Sequence, residues 1–215
     1  MKLDKIQGAI FDMDGTILDS IGVWDKIDHD YLASRGIEVP EDYARAISSL
    51  TSVECAKYSI ERFDLSDSVE DLINEWEERA LFEYSNNLSL KKGAKEYIER
   101  LKEKNIKIAL ATSSSKNLYE AALKHTGVYD LFDAFISTDN TKNGKGEPEV
   151  YLLAAQMLGV PIENCIIFED VPHAVKGAKK SGAKVCAVFD KRWEEDEETL
   201  KNLADEYIKS FKELL

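Results

Sequence analysis

Proline is scarce in this chain, 4 residues of 215, and cysteine scarcer, with 3. So little proline excludes an extended, linker-like protein. The cysteines, Cys55, Cys165 and Cys186, are far apart and form no CxxC pair, which excludes a disulfide framework and a zinc knuckle. Cys165 and Cys186 fall in apolar, strand-like runs and read as small buried thiols. Positive charge is short as well: 28 Lys and Arg stand against 41 Asp and Glu, a formal net charge of −13. Nucleic acid and anionic lipid both call for a basic face, so neither partner is expected. No apolar run reaches the roughly 18 residues a membrane-crossing helix needs. The stretch Met1-Lys2-Leu3-Asp4-Lys5 passes straight into a strand-like segment, without the apolar region or cleavage site of a signal peptide, so a cytoplasmic location is expected. No sustained heptad or wide apolar stripe calls for an oligomer, and a monomer is expected. There is no GxSxG, no GxGxxG after a strand and no Walker A, which sets aside serine hydrolases, nicotinamide enzymes and P-loop proteins.

What is present is 44% hydrophobic residues, enough for a sizeable core, arranged in a regular rhythm. Residues 6–12 (IQGAIFD), 106–112 (IKIALAT), 134–137, 164–170 (NCIIFED) and 183–189 (AKVCAVF) predict five buried strands. Between them, residues 93–104 place Ala94, Tyr97, Ile98 and Leu101 on one helical face. Pro148 suits the first turn of a helix ending before Gly159, and residues 172–181 predict another that stops at Gly182. Alternating strands and helices indicate α/β architecture with a doubly wound parallel sheet. Residues 18–88 interrupt the rhythm with helical periods only: Ile21, Trp24, Ile27 and Tyr31, then Val69, Leu72, Ile73, Trp76 and Ala80. Thr51 with Glu54 reads as a capping box. This predicts a helical domain over 18–88 inserted into a core of 1–17 and 89–215. Residues 193–211 predict one amphipathic helix outside the core.

Polar clusters sit at the strand ends, where an open parallel sheet gathers its ligands. They are Asp12-Met13-Asp14-Gly15-Thr16, Thr112-Ser113-Ser114-Ser115, Lys145 in a glycine-bearing loop, and Glu169-Asp170. Four converging carboxylates stay ionised only if a cation joins them. Oxygen ligands without Cys or His point to Mg²⁺. A magnesium ion, a lysine and hydroxyl donors can hold a phosphoryl group, and a carboxylate beside them can attack phosphorus.

Asp12-x-Asp14-Gly15-Thr16, Thr112-Ser113, Lys145-x-x-Pro148 and Glu169-Asp170, in this order, resemble the four motifs of the haloacid dehalogenase (HAD) superfamily. The helical insert is similar to the cap of its subclass I, and FDMDGTILDS and IIFEDVPHAVKGAKKSGAKV resemble β-phosphoglucomutase-like phosphatases. The resemblance implies a Rossmann-like HAD core with an α-helical cap domain. It implies that Asp12 is a nucleophile forming an aspartyl-phosphate, and that Asp14 is a general acid and then base. Asp12, the main-chain carbonyl of Asp14, Asp170 and Glu169 would hold Mg²⁺. Thr112 and Ser113 would donate to the phosphoryl oxygens, and Lys145 would pair with Asp12 and the phosphate. The family usually has proline after that lysine; Gly146 stands here and implies a looser loop.

The expected activity is hydrolysis of a small phosphate ester. A hexose-phosphate mutase is the alternative. Such mutases carry a histidine about twelve residues after the nucleophile and basic residues in a cap loop, where this chain has Trp24 and ISSLTSV. A dehalogenase would not need Asp14. A non-catalytic binding or regulatory protein on the same fold is the reading from another class. Trp24 and the residues near Ser49 are expected to face the site and select the leaving group; the other reading buries Trp24 among the insert's helices. Asp19 is expected to cap the first insert helix or support the site, and His173 to lie close behind it. Residues 19–83 hold 17 acidic and 6 basic residues, which disfavours doubly phosphorylated substrates.

Overall fold

A computed structural model describes residues 5–47 and 50–215. Six short strands form one parallel sheet: β1 (Gly8–Phe11), β2 (Lys107–Thr112), β3 (Ala134–Ser137), β4 (Cys165–Glu169), β5 (Lys184–Val188) and β6 (Glu206–Ile208). Their spatial order is β3-β2-β1-β4-β5-β6. The chain leaves β1 towards β2 on one side and reaches β4 on the other, so the topological switch lies at β1, where such sheets open a crevice. All four residues of β1 are buried. Its side chains alternate between faces, Ala9 and Phe11 entering one core and Ile10 the other.

Five core helices cover the sheet: α5 (Ala94–Glu103), α6 (Lys116–His125), α7 (Glu149–Leu158), α8 (Pro172–Lys180) and α9 (Glu197–Leu203). Tyr151, Ala154 and Leu158 of α7 and Val175 and Ala178 of α8 share one core with Ile10 and Ile167. On the opposite face Phe11 and Phe168 stack with ring centres 4.6 Å apart, with Tyr97 and Phe211 packed around Phe168. Pro172 takes the first helical position of α8 and Gly159 ends α7 in the left-handed region (φ +65°), as their places in the sequence suggest.

The insert contributes α1 (Ile21–Ala33), α2 (Tyr43–Ile47), α3 (Ser52–Phe63) and α4 (Val69–Asn86), with no strand among its described residues. The chain leaves and re-enters the core side by side. Asp19 N–H donates to Ser89 O at 3.0 Å, and Lys91 N–H to Ile17 O at 2.9 Å. The capping box is formed: Thr51 Oγ1 accepts from Glu54 N–H, and Glu54 Oε2 accepts from Thr51 N–H. Asp19 is exposed and caps no helix among the described residues; Ser20 holds the N-cap position of α1.

The single helix expected over 193–211 does not form. Residues 191–196 make a 3₁₀ turn, α9 follows, and the chain then adds the edge strand β6. Asp205 causes the break. Its main-chain N–H donates to Val185 O at 2.9 Å, and its carboxylate accepts from Val185 N–H at 2.8 Å, which fastens the segment onto β5. Three residues of edge strand leave too little period-2 pattern to stand out from the helical one around them.

Candidate active site

Register brings the first and last motifs together. Phe11 pairs with Phe168 across β1 and β4, and Asp12 N–H donates to Phe168 O at 3.0 Å. Asp12 therefore emerges beside Glu169 and Asp170, and all three are at least 95% buried. Gly15 lies at φ +79°, and a Cβ there would sit 2.4 Å from Asp170 Oδ2, so only glycine lets the turn pass the carboxylate. Thr16 Oγ1 donates to Asp170 Oδ1 at 2.9 Å, which accounts for the rest of the DGT triplet.

Lys145 reaches into the same point from the loop before α7, 7% exposed. Its ammonium donates to Asp12 Oδ1 and, at 2.6 Å, to Glu169 Oε1; Tyr151 O–H donates to the same Glu169 oxygen at 2.8 Å. Burial alone would lower the lysine pKa, but the attraction of Asp12 and Glu169 overrides it and holds the pKa above its ordinary value. The loop is not loose, despite glycine where proline was expected. Lys180 Nζ donates to Gly146 O at 3.0 Å, and Gly177 of α8 lies so close that a Cβ would meet Lys145 O at 1.9 Å.

Asp14 is held by a different set. Tyr84 O–H, from α4 of the insert, donates to Asp14 Oδ1, and Ser114 Oγ donates to Oδ2 at 2.7 Å. Trp24 Nε1 donates to the Tyr84 hydroxyl at 2.8 Å. Burial raises the Asp14 pKa, with the Asp12 charge adding to it and the Tyr84 and Ser114 hydrogen bonds opposing it. Buried Thr112 Oγ1 accepts from Ser114 N–H at 3.0 Å, and Ser137 Oγ donates to Ser114 O at 3.0 Å, which fixes the loop ahead of α6. Ser113 stands exposed at its crest.

Asp12, Glu169 and Asp170 each offer an oxygen, all within 4.8 Å of one another. Among the described residues the cation bonded to Asp12 and Glu169 is Lys145; Lys91 also acts on Asp170 but is itself paired with Asp190. Glu169 Oε2 is buried with no hydrogen-bond partner among the described residues. Burial pushes the Glu169 carboxyl up to about 7, with Lys145 opposing, and burial with the Asp12 and Glu169 charges raises Asp170 well above its usual range. Crowded oxygens with an orphaned acceptor and an excess of two negative charges fit a hard divalent cation. The Asp14 carboxylate is not among these clustered oxygens and is bonded instead by Tyr84 and Ser114.

Between insert and core lies a cavity of about 460 Å³. Asp14, Ser113 and Ser114 line its core side, and Trp24, Asp28 and Trp76 its insert side. Trp24 thus meets the cavity as well as its neighbouring helices. Ser49 lies outside the described residues. His173, in the first turn of α8, is mainly pushed towards its neutral form by burial, with Lys145 adding to the effect. Tyr84 escaped sequence reading because it continues the stripe Trp76-Ala80-Tyr84 at four-residue spacing, which reads as plain core.

Comparison with known proteins agrees with this geometry. Residues 9–188 match the family model described as haloacid dehalogenase-like hydrolase. A phosphorylated carbohydrates phosphatase of Thermotoga maritima is 32% identical over 177 residues, covering 82% of each chain. Hexitol phosphatase B of Escherichia coli K12 is 28% identical over 190 residues, 86% of this chain and 84% of the other. The β-phosphoglucomutase structure of Clostridium difficile superposes with a TM-score of 0.80 at 24% identity, over 98% of this chain and 93% of that one. The chain belongs to the haloacid dehalogenase-like hydrolases, as an enzyme of their phosphatase kind.

Proposed function

We propose that the protein is a Mg²⁺-dependent phosphomonoester hydrolase acting on a small phosphorylated metabolite of the sugar or alditol kind, through an aspartyl-phosphate at Asp12. The observation that carries this is the division of labour between two carboxylates. Asp12 is charge-paired with Lys145 inside the acidic cluster, whereas Asp14 is held apart by neutral hydroxyls at the edge of a substrate-sized cavity. Residues 18–88 act as a cap over a core of 1–17 and 89–215, closing on the substrate to exclude water.

In the first half-reaction a carboxylate oxygen of Asp12 attacks phosphorus, the bond from phosphorus to the leaving oxygen breaks, and Asp14 gives that oxygen its proton. In the second, Asp14 takes a proton from water as the water oxygen attacks the same phosphorus, which releases phosphate and restores Asp12. The Thr112 hydroxyl and the Ser113 N–H donate to the phosphoryl oxygens, and Lys145 offsets their charge. Mg²⁺, held by Asp12, Asp170, Glu169 and the main-chain oxygen of Asp14, supplies charge neutralisation to the transferring group when bound. The fold is shared with mutases, but Trp24 stands where they carry their histidine, and the acidic insert is a poor host for a bisphosphate.

Purified protein with Mg²⁺ is expected to hydrolyse p-nitrophenyl phosphate and members of a sugar phosphate panel, and to lose turnover in EDTA. At about a hundred times its Kd, Mg²⁺ should also stabilise the fold by about 2.7 kcal/mol. For a chain of this size that is roughly 5–10 °C in Tm. Asp170→Asn should abolish this thermal response. Full turnover in EDTA contradicts the proposal.

Tyr84 is a positioning residue acting through Asp14. Tyr84→Phe is expected to lower kcat/KM about tenfold for a sugar phosphate, whose leaving oxygen needs a proton. The loss should be smaller for p-nitrophenyl phosphate, whose leaving group departs as the anion. Equal losses for both esters count against this role.

A further inference from the structure

Asp28 is a buried acid that the reaction above does not use. It sits one turn along α1 from Trp24, lines the cavity, is 8% exposed, and receives no hydrogen bond among the described residues. Burial pushes its carboxyl up to about 7; Arg192, the cation facing it, opposes this, and Asp25 adds to it. A carboxylate kept under cover without a donor works against folding unless a ligand supplies one.

The surroundings narrow the ligand. Arg192 lines the same cavity and pairs with Asp25, so a guanidinium donor stands near the orphaned acceptor. A hydroxyl group both donates and accepts, and it satisfies such a pair. An ammonium group has donors only and is repelled by Arg192. Trp24 and Trp76 line the same space and offer broad faces to carbon-bound hydrogens. Trp24 is tied through Tyr84 to Asp14, and Asp28, four residues on, lies about 6 Å further along the helix axis.

Resting on the phosphatase reading, we propose that Asp28 is the specificity-determining acceptor for the leaving group, selecting esters that carry free hydroxyls several carbons from the phosphate. Short or unhydroxylated leaving groups leave the carboxylate unpartnered. The proposal reaches beyond the phosphoryl site to the part of the substrate that is not transformed.

The test compares sorbitol 6-phosphate with hexyl phosphate, a chain of equal length without hydroxyls, in wild type, Asp28→Ala and Asp28→Asn. Wild type should favour sorbitol 6-phosphate, and Asp28→Ala should cut the ratio of the two kcat/KM values at least tenfold, chiefly through KM. Asp28→Asn, which keeps an acceptor, should cut it less. A ratio unchanged within twofold overturns the proposal, as does a wild type that prefers phosphoethanolamine to sorbitol 6-phosphate. If wild type with Mg²⁺ hydrolyses none of these esters and not p-nitrophenyl phosphate, the phosphatase reading itself fails. Thermal unfolding separates specificity from scaffolding. The folded carboxyl binds its proton more tightly than the unfolded one, so its penalty grows as pH rises from the usual carboxylate range to about 7 and is complete at pH 8. Asp28→Asn should therefore unfold at an equal or higher temperature than wild type at pH 8; a lower one marks a structural role and overturns the proposal.

Discussion

Asp12→Asn is expected to lower kcat on the order of 10⁴-fold or more with every phosphate ester while leaving the fold intact. The amide has nearly the shape of the carboxylate but lacks the anionic oxygen that attacks phosphorus. Nothing else at the site can take over. Glu169 is tied to Lys145 and Tyr151, Asp170 to Thr16, and Asp14 to Tyr84 and Ser114. Folding should survive because Lys145 keeps Glu169 as its partner at 2.6 Å, and one of three crowded carboxylates is gone. Steady-state kinetics with p-nitrophenyl phosphate, alongside circular dichroism, reads both effects. Activity within tenfold of wild type would show that Asp12 is no nucleophile.

Gly177→Ala should have the second largest effect, from a residue that touches no substrate. The added Cβ would sit 1.9 Å from Lys145 O, 2.8 Å from Gly146 C and 3.0 Å from Lys145 C, all main-chain atoms. No rotamer change relieves such a clash, so α8 and the loop must part by roughly 1 Å. Overpacking of this sort costs about 1–3 kcal/mol. The loop is the one that places Lys145 between Asp12 and Glu169, and a misplacement of about 1 Å at a catalytic group costs on the order of 10²-fold in rate. Gly22→Ala is the control: nothing lies within 4 Å of a Cβ there, and alanine in α1 should stabilise by about 0.5–1 kcal/mol. Wild-type kinetics in Gly177→Ala would mean that the lysine loop does not depend on this close approach.

The contrast between these residues shows what can be read from a linear chain. Asp12-Met13-Asp14-Gly15-Thr16 and Glu169-Asp170 were legible because each follows an apolar run directly, and parallel register then brings their ends together. Lys145 was legible through the family resemblance, whose Lys-x-x-Pro motif it matches with Pro148. Gly177 and Asp28 were not, because both lie inside helices and act across space. Gly177 sits in α8 with only a missing side chain as its signal, and Asp28 looks like one of the insert's 17 acids on a solvated face. Tyr84 was hidden by its own periodicity. The edge strand β6 was lost for the opposite reason, its three residues being shorter than the pattern around them.

The insert's acidity acquires a more specific sense. Several of its charges pair within it or with the core: Arg35 with Asp67 at 2.6 Å, Arg62 with Asp42 at 2.7 Å, and Arg45 with Asp196 of the core at 2.7 Å. The partly exposed pairs among these add little stability individually. Asp28 differs from them in being buried, without a hydrogen bond among the described residues, and part of the cavity lining.

The central claim, phosphoryl transfer to Asp12, is tested most directly with Asp14→Asn and p-nitrophenyl phosphate in Mg²⁺. That ester needs no proton on its leaving group, whereas water needs the missing base, so phosphate should accumulate on the enzyme. The expected result is a burst of one p-nitrophenolate per active site, with the phosphoryl group on the peptide carrying Asp12 after acid quench and released by hydroxylamine. Sustained turnover without a burst, with no phosphoryl group on Asp12 at any time, would contradict the mechanism.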